Sequence, residues 1–300
     1  MSEANVPILT SGMPITSDKV ILFGSGGVGK THSLATLFID APEDRRVILV
    51  ATERNAASGL ERGLKFYNIT LEEGQLVYVF PKKKEKAFAN LKRAVDTYAK
   101  QTKSVALQGN KDTTMNKESY TFLQSILGSF ENFTGIDYVT REPVKIGNVG
   151  DLDGSDILVI DGFSPISHEV WNTIVGDKIA VGMNDYMPVQ HVIYSIASNL
   201  ASIDANVILL AHEREITDDK GVVLQRVVDF GCGHAISHKL MGCFTDILHC
   251  YTFGKSYLWE GQKDKVACVA RVIPKESGLI PNFSLYGFFG NVGTYKEKDK

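Results

Sequence analysis

Residues 24–31 read GSGGVGKT, and no other stretch constrains the chain as tightly. Two glycines, a lysine and a hydroxyl stand at the offsets of G-x-x-x-x-G-K-[ST]. Gly24, Gly26, Gly27 and Gly29 let the backbone curl with its N–H groups turned inward, at φ/ψ values most side chains disfavour. Such a nest takes phosphate oxygens, and a helix that follows adds its positive end. In sites of this pattern the lysine, here Lys30, reaches the β- and γ-phosphates, and the hydroxyl, here Thr31, ligates Mg²⁺. The expected phosphate site comprises Gly24, Ser25, Gly26, Gly27, Val28, Gly29, Lys30, Thr31 and His32, and its expected ligand is ATP with Mg²⁺.

The motif means this only between a strand and a helix. Residues 19–23, KVILF, form a short apolar run suited to a buried parallel strand. Residues 33–39, SLATLFI, hold good helix formers, and Asp40-Ala41-Pro42 supplies a stop. Four more apolar runs recur at 46–51, 75–80, 156–161 and 205–211. Helical patterns alternate with them, for instance over 87–100 and 189–203. The alternation predicts an α/β fold: βαβ units and a mainly parallel sheet with helices on both faces.

In such sheets ligands bind beyond the C-terminal ends of the strands. Glu53, Asp161 and His212 each fall at such an end. The strand ILVID brings the Asp161 carboxylate to the sheet edge, where it can hold Mg²⁺ directly or through water. Glu53 closes VILVATE and can polarise an attacking water; the competing reading is a solvated acid opening the next helix. His212 closes VILLAH and can touch a γ-phosphate, or can simply be satisfied by backbone.

Together these residues resemble the RecA-like branch of the P-loop ATPases. The carrying segments are GSGGVGKT, VILVATER, ILVIDGFSPI and VILLAHE, in that order. The resemblance implies a RecA-like P-loop core with Glu53 as the water-activating base, Asp161 as the Mg²⁺ carboxylate and His212 as a γ-phosphate sensor. The chain is most similar to compact phage-encoded members, some linked to single-strand annealing and recombination. The further carriers are IDGFSPIS, a long helix ending in SNLASIDANVILLAHE, and the polar ITDDKG turn. Coverage runs over about 19–277. Two departures stand out: an insertion at about 82–150 lengthens the path from Lys30 to Asp161, and Gly162 replaces the small hydroxyl residue often found after that acid.

The family works as rings or filaments, with a basic finger from a neighbour at the γ-phosphate. The resemblance therefore implies a homo-oligomer and places the finger at Arg271 or Lys275, without choosing between them. It also implies DNA, single-stranded by preference, at two loops expected over about 164–186 and 216–239. Charge alone does not argue for DNA: the net charge is −3, and Asp218, Asp219 and Asp229 interrupt the cations of the second loop. The insertion opens with Lys82, Lys83, Lys84, Lys86, Lys92, Arg93, Lys100 and Lys103, which can be a nucleic-acid patch or a solvated helix face.

The expected organisation is an N-terminal arm over 1–18, one ATPase domain over 19–290 and a charged tail over 291–300. No run approaches a membrane span, and MSEANVPILTSG lacks a basic leader followed by an apolar stretch. With an ATP-type site, the cytoplasm is the expected location. The 4 cysteines form no disulfide framework. Cys232, His234, His238, Cys243, His249 and Cys250 cluster, but their spacing matches no standard zinc site and includes no C-x-x-C pair. Three functions follow. The first is an ATP-hydrolysing protein acting on DNA in phage recombination, annealing or replication. The alternatives are a genome-packaging or assembly motor, and a nucleotide-gated structural subunit with slow hydrolysis.

Overall fold

The computed structural model describes residues 17–39, 41, 45–52, 56–79, 133–175, 182–231, 234–253, 256–260, 280–281 and 285. Glu53, Arg271, Lys275, Cys232, residues 1–16 of the N-terminal arm, the basic stretch at 82–103 and the charged tail lie outside them.

Five parallel-sheet strands form where the apolar runs predict them: β1 (Lys19–Phe23), β2 (Arg46–Ala51), β3 (Leu76–Val79), β6 (Asp156–Asp161) and β7 (Asn206–Thr217). The others are β4 (Phe133–Asp137), β5 (Pro143–Gly147), β8 (Val223–Asp229), β9 (Asp246–Phe253), β10 (Ser256–Glu260) and β11 (Ile280–Pro281). The order across the sheet is β11-β10-β9-β1-β7-β6-β2-β3-β4-β5, with β8 pairing β7 alone. The central run from β9 to β3 is parallel throughout. Antiparallel pairs finish both sides. Part of the expected insertion is therefore sheet: β4 and β5 hang on β3 as an antiparallel edge hairpin.

Both faces of the central strands are covered, which is why their sequences read as continuous apolar runs rather than as alternation. Ile21, Phe23, Leu158, Ile160, Val207 and Leu209 face one helical layer. That layer is α3 (Phe163–Ile174), α4 (Met183–Ser202) and α5 (His234–Met241). The alternate residues Val20, Leu22, Leu49, Val159, Ile208 and Leu210 face the other side. There they meet α1 (Lys30–Ser33), the 3-10 turn Leu34–Phe38 and α2 (Ala56–Phe66). Each such aliphatic side chain is worth about 1.5–3 kcal/mol of burial.

Two of the expected loops are mostly regular structure. The 164–186 segment is helical from Phe163 to Ile174 and again from Met183. Phe163, Ile166, Val170 and Ile174 recur at helical spacing, and Pro165 sits in the first turn, where its missing N–H has no helical partner to lose. The 216–239 segment begins as a hairpin of β7 and β8 and ends in α5. At its turn the Asp218 Oδ1 accepts the N–H groups of Lys220 (2.9 Å) and Val222 (2.8 Å).

The register brings the ends of the parallel strands to one edge: Phe23 lies opposite both Ala211 and His249, and Ala51 opposite Asp161. Immediately beyond β1, Gly24 presses on β9. A Cβ there would run into the carbonyl oxygen of Cys250, whereas a Cβ on Gly26 would meet open space. Gly24→Ala is therefore expected to cost about 1–3 kcal/mol of unfolding free energy, and Gly26→Ala less than about 0.5 kcal/mol. Urea denaturation of the two variants checks this; equal midpoints would contradict the close approach.

Candidate functional site

The glycine-rich loop leaves β1 at Gly24 and re-enters regular structure at Lys30. Gly27 (φ 79°) and Gly29 (φ 87°) take left-handed backbone on either side of Val28. Such alternation turns successive N–H groups toward one centre. Val28 turns its side chain into the core below, so it contributes backbone only. The Lys30 ammonium folds back on the loop and donates to the carbonyls of Gly24 (2.8 Å) and Ser25 (2.9 Å). A cleft of about 250 Å³ opens over the loop. It is lined by Gly26, Gly27, Gly29, Lys30, Thr31 and His32, by Asp161 and His212, and by Gly59 and Arg62 of α2.

Asp161 stands at the end of β6 and is buried. Its Oδ2 accepts the Thr31 hydroxyl at 2.9 Å. Two hard oxygens, one anionic, thus face each other at the floor of the cleft, a donor set suited to Mg²⁺. Thr52 secures the neighbouring strand end: its N–H donates to the Asp161 carbonyl (3.1 Å) and its hydroxyl to the Gly162 carbonyl (2.9 Å). Gly162 starts α3 at φ 101°, ψ 58°, a left-handed conformation that accounts for a glycine at this position.

His212 lines the cleft from β7. Its N–H donates to the Ser164 hydroxyl (3.1 Å), which donates in turn to the Asp229 carbonyl (2.7 Å), so β7 is tied to α3 and β8. Of the expected site residues, the structure brings Lys30, Thr31, His32, Asp161 and His212 together. Glu53, Arg271 and Lys275 lie outside the described residues. No three metal-ligating side chains converge among the described residues. Of the Cys/His cluster, the thiol of Cys250 is fully buried and pushed up to about 12, while His249 faces a carboxylate.

That carboxylate is Glu213, which sequence reasoning does not single out. Its Oε1 accepts the Ser25 hydroxyl, and its Oε2 pairs with His249 Nε2 at 2.7 Å. The hydrogen bond from His249 is the largest influence in holding its carboxyl down at about 2, against an ordinary 4.5; burial opposes, and the Ser25 hydroxyl helps. Arg62 is missed as well, because an exposed helical arginine gives no sign of direction. Gly59 and Gly63 hold the readable signal. One turn apart on α2, they let that helix lie on Thr31 and His32; a Cβ on Gly59 would come 3.1 Å from the Thr31 Cβ. Burial, followed by the Arg62 charge, lowers the pKa of His32, whose ring meets Phe66 and Tyr67 at 5.5 and 5.9 Å.

No protein-family model and no curated protein matches this chain. Among solved structures it is similar to a prototypical ATPase from the type III secretion system of pathogenic bacteria. The identity is 11% and the TM-score 0.35, over 78% of this chain and 51% of that one. The chain thus spans about half the length of that protein. A likeness at this level bears on neither activity nor partners. Among the described residues, no helix is long and apolar enough to cross a membrane.

The lowered Glu213 pKa has a stability consequence. A carboxyl depressed on folding stabilises fully above its unfolded value, about 4.5, and that stability is lost as pH falls toward about 2. Glu213→Gln is expected to flatten this part of the acid limb. Chemical denaturation at pH 5, 4 and 3 checks it; parallel pH profiles for the two proteins would contradict the assignment.

Proposed function

We propose that this chain binds ATP with Mg²⁺ in the cleft and hydrolyses it to ADP and phosphate. The observation that carries the reading is the 2.9 Å contact between the Thr31 hydroxyl and the Asp161 carboxylate, beside Lys30 in a glycine loop. A loop of this form supplies amides for phosphate oxygens, and Lys30 has loop carbonyls that it can exchange for the β- and γ-phosphates. Thr31 and Asp161 would hold Mg²⁺, which when bound neutralises phosphate charge. Glu53, two residues beyond the end of β2 in sequence, would orient and deprotonate the attacking water. His212 would contact the γ-phosphate from the cleft wall, and Arg271 or Lys275 would reach it from a neighbouring subunit.

The finer reading is a RecA-like ATPase assembled as a ring or filament and acting on single-stranded DNA in recombination, annealing or replication. Its support is the resemblance carried by VILVATER, IDGFSPIS and VILLAHE, together with His212 on the wall of the same cleft as Lys30.

Phosphate release checks the chemistry. The wild type should turn over ATP only with Mg²⁺, and Lys30→Ala should lose at least about a hundredfold in activity. Glu53→Gln should keep ATP binding and lose roughly 10²–10⁴ in turnover, the usual share of a general base. Undiminished hydrolysis in Lys30→Ala would remove the cleft as the site. For the partner, single-stranded DNA should stimulate hydrolysis; a rate indifferent to DNA would remove the DNA reading and leave the ATPase standing.

A further inference from the structure

Four of the six residues from Gly24 to Gly29 are glycines, and Val28 is buried in the core. Between Gly24 and Gly29, Ser25 is therefore the one polar side chain by which the protein can grip the loop. Its hydroxyl is given to Glu213. Glu213 in turn stands on a rigid base. The pair with His249 is 2.7 Å long, the His249 side chain is 3% exposed and that of Glu213 15%. The His249 ring packs on Phe23 (5.0 Å) and stacks on Tyr251 (5.6 Å). The next residue on β9, Cys250, is the one whose carbonyl Gly24 abuts. The first two loop residues are thus both referenced to β9, Gly24 by backbone contact and Ser25 through Glu213 and His249.

Lys30 spends its ammonium on the carbonyls of the same two residues. An ammonium that moves to a triphosphate gives up those two ties just when the loop must hold its shape. A glycine-rich segment without them has the most backbone freedom to lose. We propose that Glu213 is a positioning residue for the phosphate loop: through Ser25, and braced by His249, it keeps the loop in its binding form when Lys30 turns to the nucleotide. The inference rests on reading the cleft as an ATP site. Glu213 touches no reacting atom in this role, so it favours bound substrate and transition state alike, and its removal should appear in KM rather than in kcat.

The test uses the full chain, with binding of a non-hydrolysable ATP analogue and steady-state phosphate release. Ser25→Ala lies on an exposed loop and leaves the Glu213–His249 pair in place, so it serves even where a Glu213 variant folds poorly. A hydrogen bond to a charged group corresponds to roughly a tenfold or greater loss of affinity. Ser25→Ala and Glu213→Ala should each raise the dissociation constant and KM by about that factor, with kcat within about twofold. The double variant should bind no more weakly than the worse single one, because both remove the same tie. Glu213→Gln, which can still accept the serine hydroxyl, should fall between Glu213→Ala and wild type. Unchanged KM in both single variants, or single effects that multiply in the double, would overturn the inference while the ATP reading stands. A wild type that binds no Mg-ATP would overturn both.

Discussion

The hydrogen bond from Thr31 to Asp161 joins the ends of two strands that are not neighbours. β7 runs between β1 and β6, so the loop after β1 and the acid at the end of β6 must meet across the top of a third strand. That is possible only because the registers of β1 on β7 and of β7 on β6 end within one residue of each other: Phe23 opposite Ala211, Asp161 opposite Leu210. A slip of one residue in either pairing would turn the core-facing side chains to the wrong face as well as separating the pair. The apolar core and the polar edge are therefore specified by the same registration.

Around that contact the cleft is built from elements that immobilise one another. Gly59 and Gly63 bring α2 onto the start of α1; Thr52 ties β2 to the turn that begins α3; Ser164 ties α3 to β7 and β8. The most exposed part of the site, the glycine loop, is held at Gly24 and Ser25, and both holds lead to β9. Charge is managed in the same way. The Glu213 carboxylate beside the loop is engaged by Ser25 and His249.

The parallel core was legible because strands buried on both faces leave unbroken runs such as VILVA and DILVID, and because three of the runs lead into a polar residue, at Glu53, Asp161 and His212. GSGGVGKT was legible for the reason that few backbones tolerate four glycines in six residues without a use for them. What escaped the sequence was tertiary. Antiparallel pairing of β4 on β3 depends on a partner more than fifty residues away, and nothing local announces it. The helix at 163–174 was obscured by the Pro165 and glycine that begin it, although Phe163, Ile166, Val170 and Ile174 carry its period. His249 drew notice only for its nearness to cysteines whose spacing matches no standard zinc site, whereas its partner lies 36 residues back on another strand. Glu213 was overshadowed by His212 beside it. Successive residues of a strand face opposite ways, so the histidine lines the cleft while the glutamate holds the loop.

The most direct test of this account is an experimental structure of the chain with Mg²⁺ and a non-hydrolysable ATP analogue. The account predicts the triphosphate over the 24–31 loop, Lys30 released from the Gly24 and Ser25 carbonyls, and Mg²⁺ about 2.1 Å from the Thr31 hydroxyl with Asp161 beside it. A nucleotide bound elsewhere, or a metal that engages neither Thr31 nor Asp161, would contradict it.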